Sequence, residues 1–176
     1  MKIGLTGTMS VGKTTLVNAL KKLEQFKDYN FATERSKYLM SLGIPLNTDS
    51  TLKGQTIFLA ERCGELMQDN IITDRTIIDV IAFTQNAKTI NSADKTSFEE
   101  YSRNFINEYD YIFYISPEGV EIEDNGVRET NSQYRDTIDE SIKHTLQLYS
   151  HRIKNLHTLS GTTEERILQI LHFIQS

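Results

Sequence analysis

The chain has few of the features that mark secreted or membrane proteins. Cys63 is its only cysteine, so no disulfide can form within the chain. No apolar run approaches membrane-spanning length, and the N-terminus enters the first predicted strand directly, which leaves no room for a signal peptide. We therefore expect a cytoplasmic protein with no membrane partner.

Internal repeats, low-complexity segments and Pro/Gly-rich linkers are also missing. We therefore expect all of residues 1–176 to form one domain. The net charge of −5 argues against duplex DNA as a partner, although a local basic groove stays open. None of the four histidines shows a metal-ligand spacing. A monomer and a homodimer are both compatible with this composition.

A phosphate-binding loop near the N-terminus is the clearest motif that is present. The segment fits the Walker A pattern G-x-x-x-x-G-K-[ST], and it lies between an apolar strand pattern and a helical pattern. Its glycines let the backbone wrap around a phosphate, and its N–H groups face the anion. Lys13 is predicted to reach the β- and γ-phosphates of ATP, and the Thr14 hydroxyl to bind Mg²⁺. The residues predicted to bind the nucleotide here are Gly7, Thr8, Met9, Ser10, Val11, Gly12, Lys13, Thr14 and Thr15.

Strand and helix patterns alternate along the rest of the chain. Strands are predicted at 1–6, 30–33, 71–73 (ending at Asp74), 111–115 and 155–159. Helices are predicted at 13–24, 34–42, 51–69, 76–87, 94–108 and 132–151, with a last one after a capping box at 162–165. This alternation predicts an α/β fold with a parallel sheet covered by helices on both faces. The polar stretch 117–131 is predicted to be a loop or flap, within a lid at about 117–135.

Missing motifs separate the classes of protein that share this loop. No aspartate is followed three residues later by glycine, as a GTPase switch requires. The only Asp-Glu pair, Asp139-Glu140, lies in a polar helical stretch rather than at the end of an apolar strand, as in a motor ATPase. We interpret it as a solvated helix face. The motifs that are present suit a small kinase.

Three polar residues follow predicted strands, where parallel sheets bind ligands. Asp74 could hold Mg²⁺ or take a proton from an acceptor hydroxyl; alternatively it caps the next helix. Arg75 could bind the acceptor, or form a surface ion pair. Glu34 could be the general base for a hydroxyl acceptor, or a favourable charge at a helix N-terminus. We expect these residues and the phosphate loop to converge on one crevice.

Two arginines border the end of the predicted flap. Arg128 and Arg135 are seven residues apart and would share a helix face if the whole stretch were helical. Closing arginines stabilise the charge that develops during phosphoryl transfer, so both are candidate catalytic residues. The alternative is two solvated arginines in an acidic loop.

These motifs together resemble those of nucleoside and nucleotide kinases. The phosphate loop, Thr33-Glu34-Arg35, Asp74-Arg75-Thr76 and the two lid arginines are similar to the compact P-loop kinase-like domains related to nicotinamide-riboside kinase, many of them from bacteria and phages. The resemblance implies the P-loop nucleoside triphosphate hydrolase fold. It implies a five-stranded parallel sheet of order 2-3-1-4-5 with helices on both faces and a small lid.

The resemblance also implies further site residues. Asp74-Arg75-Thr76 would match the family's Asp-Arg-Ser, and the threonine keeps the hydroxyl. Gly161 and Thr162 would lie beside the adenine of ATP, and Gln55 would read the base of the acceptor. Arg35 would contact the acceptor together with Arg75.

We therefore expect ATP- and Mg²⁺-dependent phosphoryl transfer to a nucleoside or a (deoxy)nucleoside monophosphate. The candidate catalytic residues are Lys13, Glu34, Asp74, Arg75, Arg128 and Arg135. The candidate acceptor-binding residues are Glu34, Arg35, Gln55 and Arg75, and the candidate metal ligands are Thr14 and Asp74. Two rival functions stay open: a kinase of a modified base in phage-type DNA, and a non-enzymatic nucleotide-binding regulator.

Overall fold

Five parallel strands form the sheet at the centre of a computed structural model that describes residues 1–33, 35–118 and 132–175. The strands are β1 (Lys2–Thr6), β2 (Asn30–Ala32), β3 (Ile71–Asp74), β4 (Tyr111–Ile115) and β5 (Leu156–Leu159). Their order across the sheet is β2-β3-β1-β4-β5, and every neighbouring pair is parallel. The α/β fold and the predicted order 2-3-1-4-5 are confirmed.

Seven α-helices connect and cover the strands in the described part of the chain. They are α1 (Lys13–Leu20), α2 (Ser36–Ser41), α3 (Leu52–Glu65), α4 (Ile77–Asn86), α5 (Ser92–Ser102), α6 (Ser132–Leu148) and α7 (Thr163–Gln175). The helices predicted at 13–24, 51–69 and 94–108 extend too far. Helix α1 ends at Leu20 and α3 at Glu65, and the chain after α5 tightens into 3₁₀ turns at Arg103–Glu108. None of the helices in the described ranges has the length and apolarity to cross a bilayer.

Apolar layers lie on both faces of the sheet. One face is covered by α3, α4, α5 and α6, and its buried side chains include Ile78, Ile112 and Ile142. The other face is covered by α1 and α7, with Leu16 and Ile170 among its buried side chains. Burial on two faces explains why the central strands are continuous apolar runs rather than alternating ones.

The glycine in β1 brings the start of α4 close to the sheet. A Cβ atom at Gly4 would lie 2.4 Å from Cγ2 of Thr76 and 2.8 Å from Cε1 of Tyr109. Only a residue without a side chain leaves room for both neighbours. This close approach places the residues that follow β3 next to the loop that follows β1.

One interpretation of the helical sequence is wrong. Asp139 is buried, with 4% of its surface exposed, although Glu140 is exposed as expected. The Tyr114 hydroxyl donates to the Asp139 carboxylate at 2.7 Å, and Lys143 forms an ion pair with it at 2.7 Å. Burial, together with this carboxylate, raises the pKa of Tyr114. The face of α6 that carries Asp139 therefore packs against β4 rather than facing solvent.

Candidate active site

The phosphate loop connects the end of β1 to the first turn of α1. Its lysine, Lys13, is 6% exposed, and its Nζ donates to the carbonyl oxygens of Gly7 and Thr8 at 2.6 Å each. Gly7 has φ +148° and Gly12 has φ +83°. A Cβ atom at Gly7 would lie 2.7 Å from the carbonyl oxygen of Ile115, so the glycine is needed for space as well as for its conformation.

Asp74 lies directly beside this loop. Strand β3 pairs with β1 so that Asp74 is opposite Leu5, and the Thr14 hydroxyl donates a hydrogen bond to Oδ2 of Asp74. The carboxylate is buried, and Oδ1 has no hydrogen-bond partner among the residues that the structure describes. A hydroxyl and a carboxylate with an unpaired buried oxygen are the hard oxygen ligands that Mg²⁺ prefers. The two predicted metal ligands therefore fit the cation.

Other residues cap α4, which removes the alternative interpretation of Asp74. Thr76 is the N-cap, and its hydroxyl accepts from the backbone N–H of Ile78 at 3.1 Å. The backbone N–H of Thr76 donates in return to the Asp79 carboxylate at 2.8 Å, which completes a capping box.

Within residues 1–33, 35–118 and 132–175, no group of three or more His, Cys, Asp or Glu side chains could hold a metal ion.

A cleft of about 440 Å³ opens in front of the loop. Its walls come from the phosphate loop, the start of α2, the segment before α3 and the end of β3. The lining residues are Met9 to Thr14, Arg35 to Tyr38, Leu46, Asn47, Asp74 and Arg75. The structure thus brings the loop, Asp74, Arg75 and Arg35 to one crevice, as the topology predicts. Thr15 is exposed on α1 and does not line this cleft.

A smaller cavity of about 50 Å³ adjoins the cleft. The two share four lining residues, Ser36, Leu46, Asn47 and Arg75. Gln55 is 3% exposed and contributes to the wall, together with the rings of Phe58 and Phe83. The Oγ of buried Ser50, which also lines the cavity, has no hydrogen-bond partner in the described part of the chain. Gln55 and Arg75 therefore line the same small cavity.

Arg75 lies on the boundary between the two cavities. Its side chain is 17% exposed, its Nη1 is 3.5 Å from Oδ1 of Asp79, and its guanidinium lies 4.8 Å from the centre of the Phe83 ring. Its φ is +93°, a conformation that non-glycine residues rarely adopt and that is often found at functional sites. These contacts contradict the alternative of a surface ion pair.

Arg35 occupies the rim of the large cleft. Its side chain is half exposed, forms an ion pair with Glu61 at 3.1 Å and lies 4.4 Å from the centre of the Tyr38 ring. The neighbouring candidate base, Glu34, lies outside the described residues. Its role stays a prediction.

The structure describes only one of the two predicted lid arginines. Arg128 lies outside the described residues, as does the whole of 119–131. Arg135 is 6% exposed, and its guanidinium donates to the carbonyl oxygen of Pro117 at 3.3 Å. Its own carbonyl accepts from the Thr8 hydroxyl at 3.1 Å. Arg135 is therefore not a solvated side chain, and α6 is attached directly to the phosphate loop.

Gly161 and Thr162 come directly before α7. The Thr162 hydroxyl accepts from the Glu165 backbone N–H at 3.2 Å, and the Thr162 N–H donates to the Glu165 carboxylate at 2.7 Å. This confirms the predicted capping box. Neither residue lines the large cleft, so their contact with adenine stays a prediction.

Two buried arginines that sequence reasoning missed hold the backbone of the site. Arg166 of α7 donates through Nη1 to the carbonyl oxygen of Val11 at 2.7 Å, and its burial lowers its pKa. Arg62 of α3 donates through Nη1 to the carbonyl oxygen of Asp74 at 3.1 Å. Both occur in ordinary helical stretches, so no local motif marks them.

Arg62 also has a partly buried acidic partner. Its Nη2 lies 2.5 Å from Oε1 of Glu65. Burial raises the pKa of Glu65 to about 7, although the nearby Arg62 acts in the opposite direction. The carboxylate is therefore held in a position where its charged form is poorly solvated.

The five-stranded parallel sheet and the glycine-rich loop after its central strand define a P-loop nucleoside triphosphate hydrolase fold. The chain belongs to the family described as an AAA domain, which matches residues 2–166. None of the curated proteins matches the chain significantly.

Solved structures share this fold at low sequence identity. Deoxyadenosine kinase from M. mycoides, with the products dCMP and dCDP bound, is 17% identical with a TM-score of 0.68, covering 99% of this chain and 98% of that one. NadR in complex with NR is 19% identical with a TM-score of 0.71, covering 97% of this chain and 50% of NadR. YorR from Bacillus subtilis, in complex with phosphorylated GDP, is 16% identical with a TM-score of 0.55, covering 98% of this chain and 95% of that one. The expected resemblance to compact P-loop kinases is confirmed at the level of the fold.

Proposed function

We propose that this protein is a small kinase that transfers the γ-phosphoryl group of ATP to a nucleoside or nucleoside monophosphate. The observation that carries the proposal is that the two cavities share four lining residues. The phosphate loop opens into the large cleft, and Arg75 lies on the boundary between that cleft and the cavity containing Gln55. A donor site and an acceptor site would therefore meet beside Asp74.

The donor half of the site is built from the loop and its metal ligands. Lys13 and the loop N–H groups are suited to holding the β- and γ-phosphates, because a triphosphate can replace the carbonyl oxygens as the partner of the ammonium. When bound, Mg²⁺ would neutralise charge on the phosphate oxygens. Thr14 and Asp74 would hold the cation, and Arg62 fixes the backbone of Asp74 from behind.

The acceptor half is suited to a flat ring with hydrogen-bonding edges. Phe58 and Phe83 supply aromatic walls, and the amide of Gln55 supplies one acceptor and two donors. This amide would read the edge of the acceptor base. The Ser50 hydroxyl is a further polar group in the same wall.

The pairing of the arginines favours a nucleoside hydroxyl over a monophosphate as the acceptor. Arg75 is paired with Asp79, and Arg35 is paired with Glu61. A monophosphate would have to compete with these carboxylates for each guanidinium, whereas a neutral nucleoside would not. Glu34 or Asp74 would then take the proton from the attacking hydroxyl.

The proposal is tested by measuring ADP release with ATP, Mg²⁺ and a panel of nucleosides, monophosphates and DNA. We expect at least one nucleoside to accelerate ADP release. The variant Lys13→Ala should lower that rate about 100-fold or more, because several kcal/mol of transition-state stabilisation are lost. Lys22→Ala, at an exposed lysine just beyond α1, is the matched control and should leave the rate unchanged.

The rival functions give different outcomes in the same assay. Turnover with DNA alone would indicate a kinase of a modified base in DNA. Tight ATP binding without acceleration by any acceptor would indicate a non-enzymatic regulator. Full turnover by Lys13→Ala would overturn the assignment of the phosphate loop as the donor site.

A further inference from the structure

Asp79 is a fully buried carboxylate in the first turn of α4, and the capping box explains only one of its two oxygens. Its Oδ2 accepts from the backbone N–H and the hydroxyl of Thr76 at 2.8 and 3.0 Å. Its Oδ1 accepts from the backbone N–H of Gly7 at 3.3 Å and lies 3.5 Å from Nη1 of Arg75. One oxygen therefore contacts the phosphate loop and the acceptor-side arginine at the same time.

These contacts have a direct physical consequence for the loop. A buried carboxylate is costly unless every oxygen has partners, so Oδ1 holds both the Gly7 N–H and the arginine in place. The carbonyl oxygen of Gly7 accepts from Nζ of Lys13 at 2.6 Å. The peptide groups on both sides of Gly7 are thus fixed, one by Asp79 and the other by the lysine of the loop.

We propose that Asp79 is a positioning residue that couples the phosphate loop to Arg75. Displacement of the Arg75 guanidinium changes the charge balance at Oδ1, and this changes how firmly the Gly7 peptide is held. The coupling needs no contact between Asp79 and ATP. It rests on the proposed function only in the assignment of Arg75 to the acceptor side.

The test compares Asp79→Asn with a cap variant remote from the site. The asparagine is isosteric, but it removes the charge and turns an NH₂ group toward one of the N–H donors. Asp94→Asn is the matched control, because Asp94 is the third residue of α5 and contacts the N-cap Asn91 at 2.7 Å on an exposed surface. The measurements are ADP binding by calorimetry in Mg²⁺ without any acceptor, and hydrogen exchange of the Gly7 amide by NMR.

We expect Asp79→Asn to weaken ADP binding about tenfold and to accelerate Gly7 exchange about tenfold, since each corresponds to the loss of about one buried charged hydrogen bond. Asp94→Asn should change neither quantity. A purely capping role for Asp79 would lower the melting temperature of the protein and leave both quantities at their wild-type values, which would overturn the proposal.

A second variant decides the question if Asp79→Asn does not fold. Arg75→Met replaces the guanidinium with an apolar side chain and should alter Gly7 exchange, because Oδ1 of Asp79 contacts both Arg75 and the Gly7 N–H. Unchanged Gly7 exchange in a folded Arg75→Met protein would overturn the coupling. Neither measurement requires turnover, so a failure of the proposed kinase activity would be distinguishable from a failure of this inference.

Discussion

The Thr14 hydroxyl donates a hydrogen bond to the carboxylate of Asp74, across 60 residues of sequence. The contact follows from the sheet, because β1 and β3 are parallel neighbours and both the loop and Asp74 come at the carboxyl ends of those strands. It joins the two candidate metal ligands directly. The main effect of a substitution at Asp74 should therefore be on the Mg²⁺ requirement of the reaction rather than on folding.

Asp74→Asn should lower kcat about 100-fold or more and raise the Mg²⁺ concentration needed for half-maximal rate, because it removes a charged ligand worth several kcal/mol in the transition state. The rate of ADP release, titrated with Mg²⁺, checks this. Asp69→Asn, at an exposed aspartate just before β3, should behave as wild type. An unaltered Mg²⁺ titration of Asp74→Asn would exclude Asp74 as a ligand.

Gly12→Ala should destabilise the protein by about 1–2 kcal/mol, because a side chain is strained at φ +83° and its Cβ would lie 3.2 Å from Nη1 of Arg166. Urea unfolding checks this. Gly64→Ala is the matched control: its Cβ meets nothing within 4 Å on α3, so we expect a gain of about 0.5–1 kcal/mol. Equal effects of the two substitutions would contradict the strained loop geometry.

Gln55→Ala should raise KM for the acceptor about tenfold and leave KM for ATP within about twofold, because Gln55 lines the smaller cavity and not the cleft in front of the phosphate loop. Initial rates with each substrate varied in turn check this. Gln147→Ala, at an exposed position of α6, supplies the comparison. A rise in KM for ATP instead would place Gln55 on the donor side.

Glu65 should make stability depend on pH between about 4.5 and 7. Its pKa is raised by burial from 4.5 to about 7, so the folded state binds a proton there that the unfolded state does not. The contribution of Glu65 to the free energy of unfolding is therefore present below about pH 4.5 and is lost as the pH rises through about 7.

Glu65→Gln should remove that dependence. Across a series of urea unfolding curves from pH 4.5 to 8, wild type should lose stability relative to the variant as the pH rises. Glu140→Gln, at an exposed carboxylate of α6, should show no such trend relative to wild type. A constant difference between Glu65→Gln and wild type would mean that the Glu65 carboxyl has the same proton affinity in both states.

Local patterns in the sequence predicted the fold well. The strand Tyr111–Ile115 has the predicted bounds, and the capping box at Thr162 and Glu165 forms as expected. The order of the sheet was implied by family resemblance and is confirmed. The strand and the capping box depend on residues that are close in sequence. For that reason they are visible without coordinates.

Some residues of the candidate site could be predicted from the sequence, and others could not. The sequence by itself determined the phosphate loop and placed Asp74 and Arg75 at the end of a strand. Only the tertiary structure showed that Asp79 and Arg166 contact the loop, since their partners lie 72 and 155 residues away. The register of β1 with β3 and the packing of α4 and α7 decide those contacts. No periodicity or spacing within a single segment encodes which backbone group a buried side chain will meet.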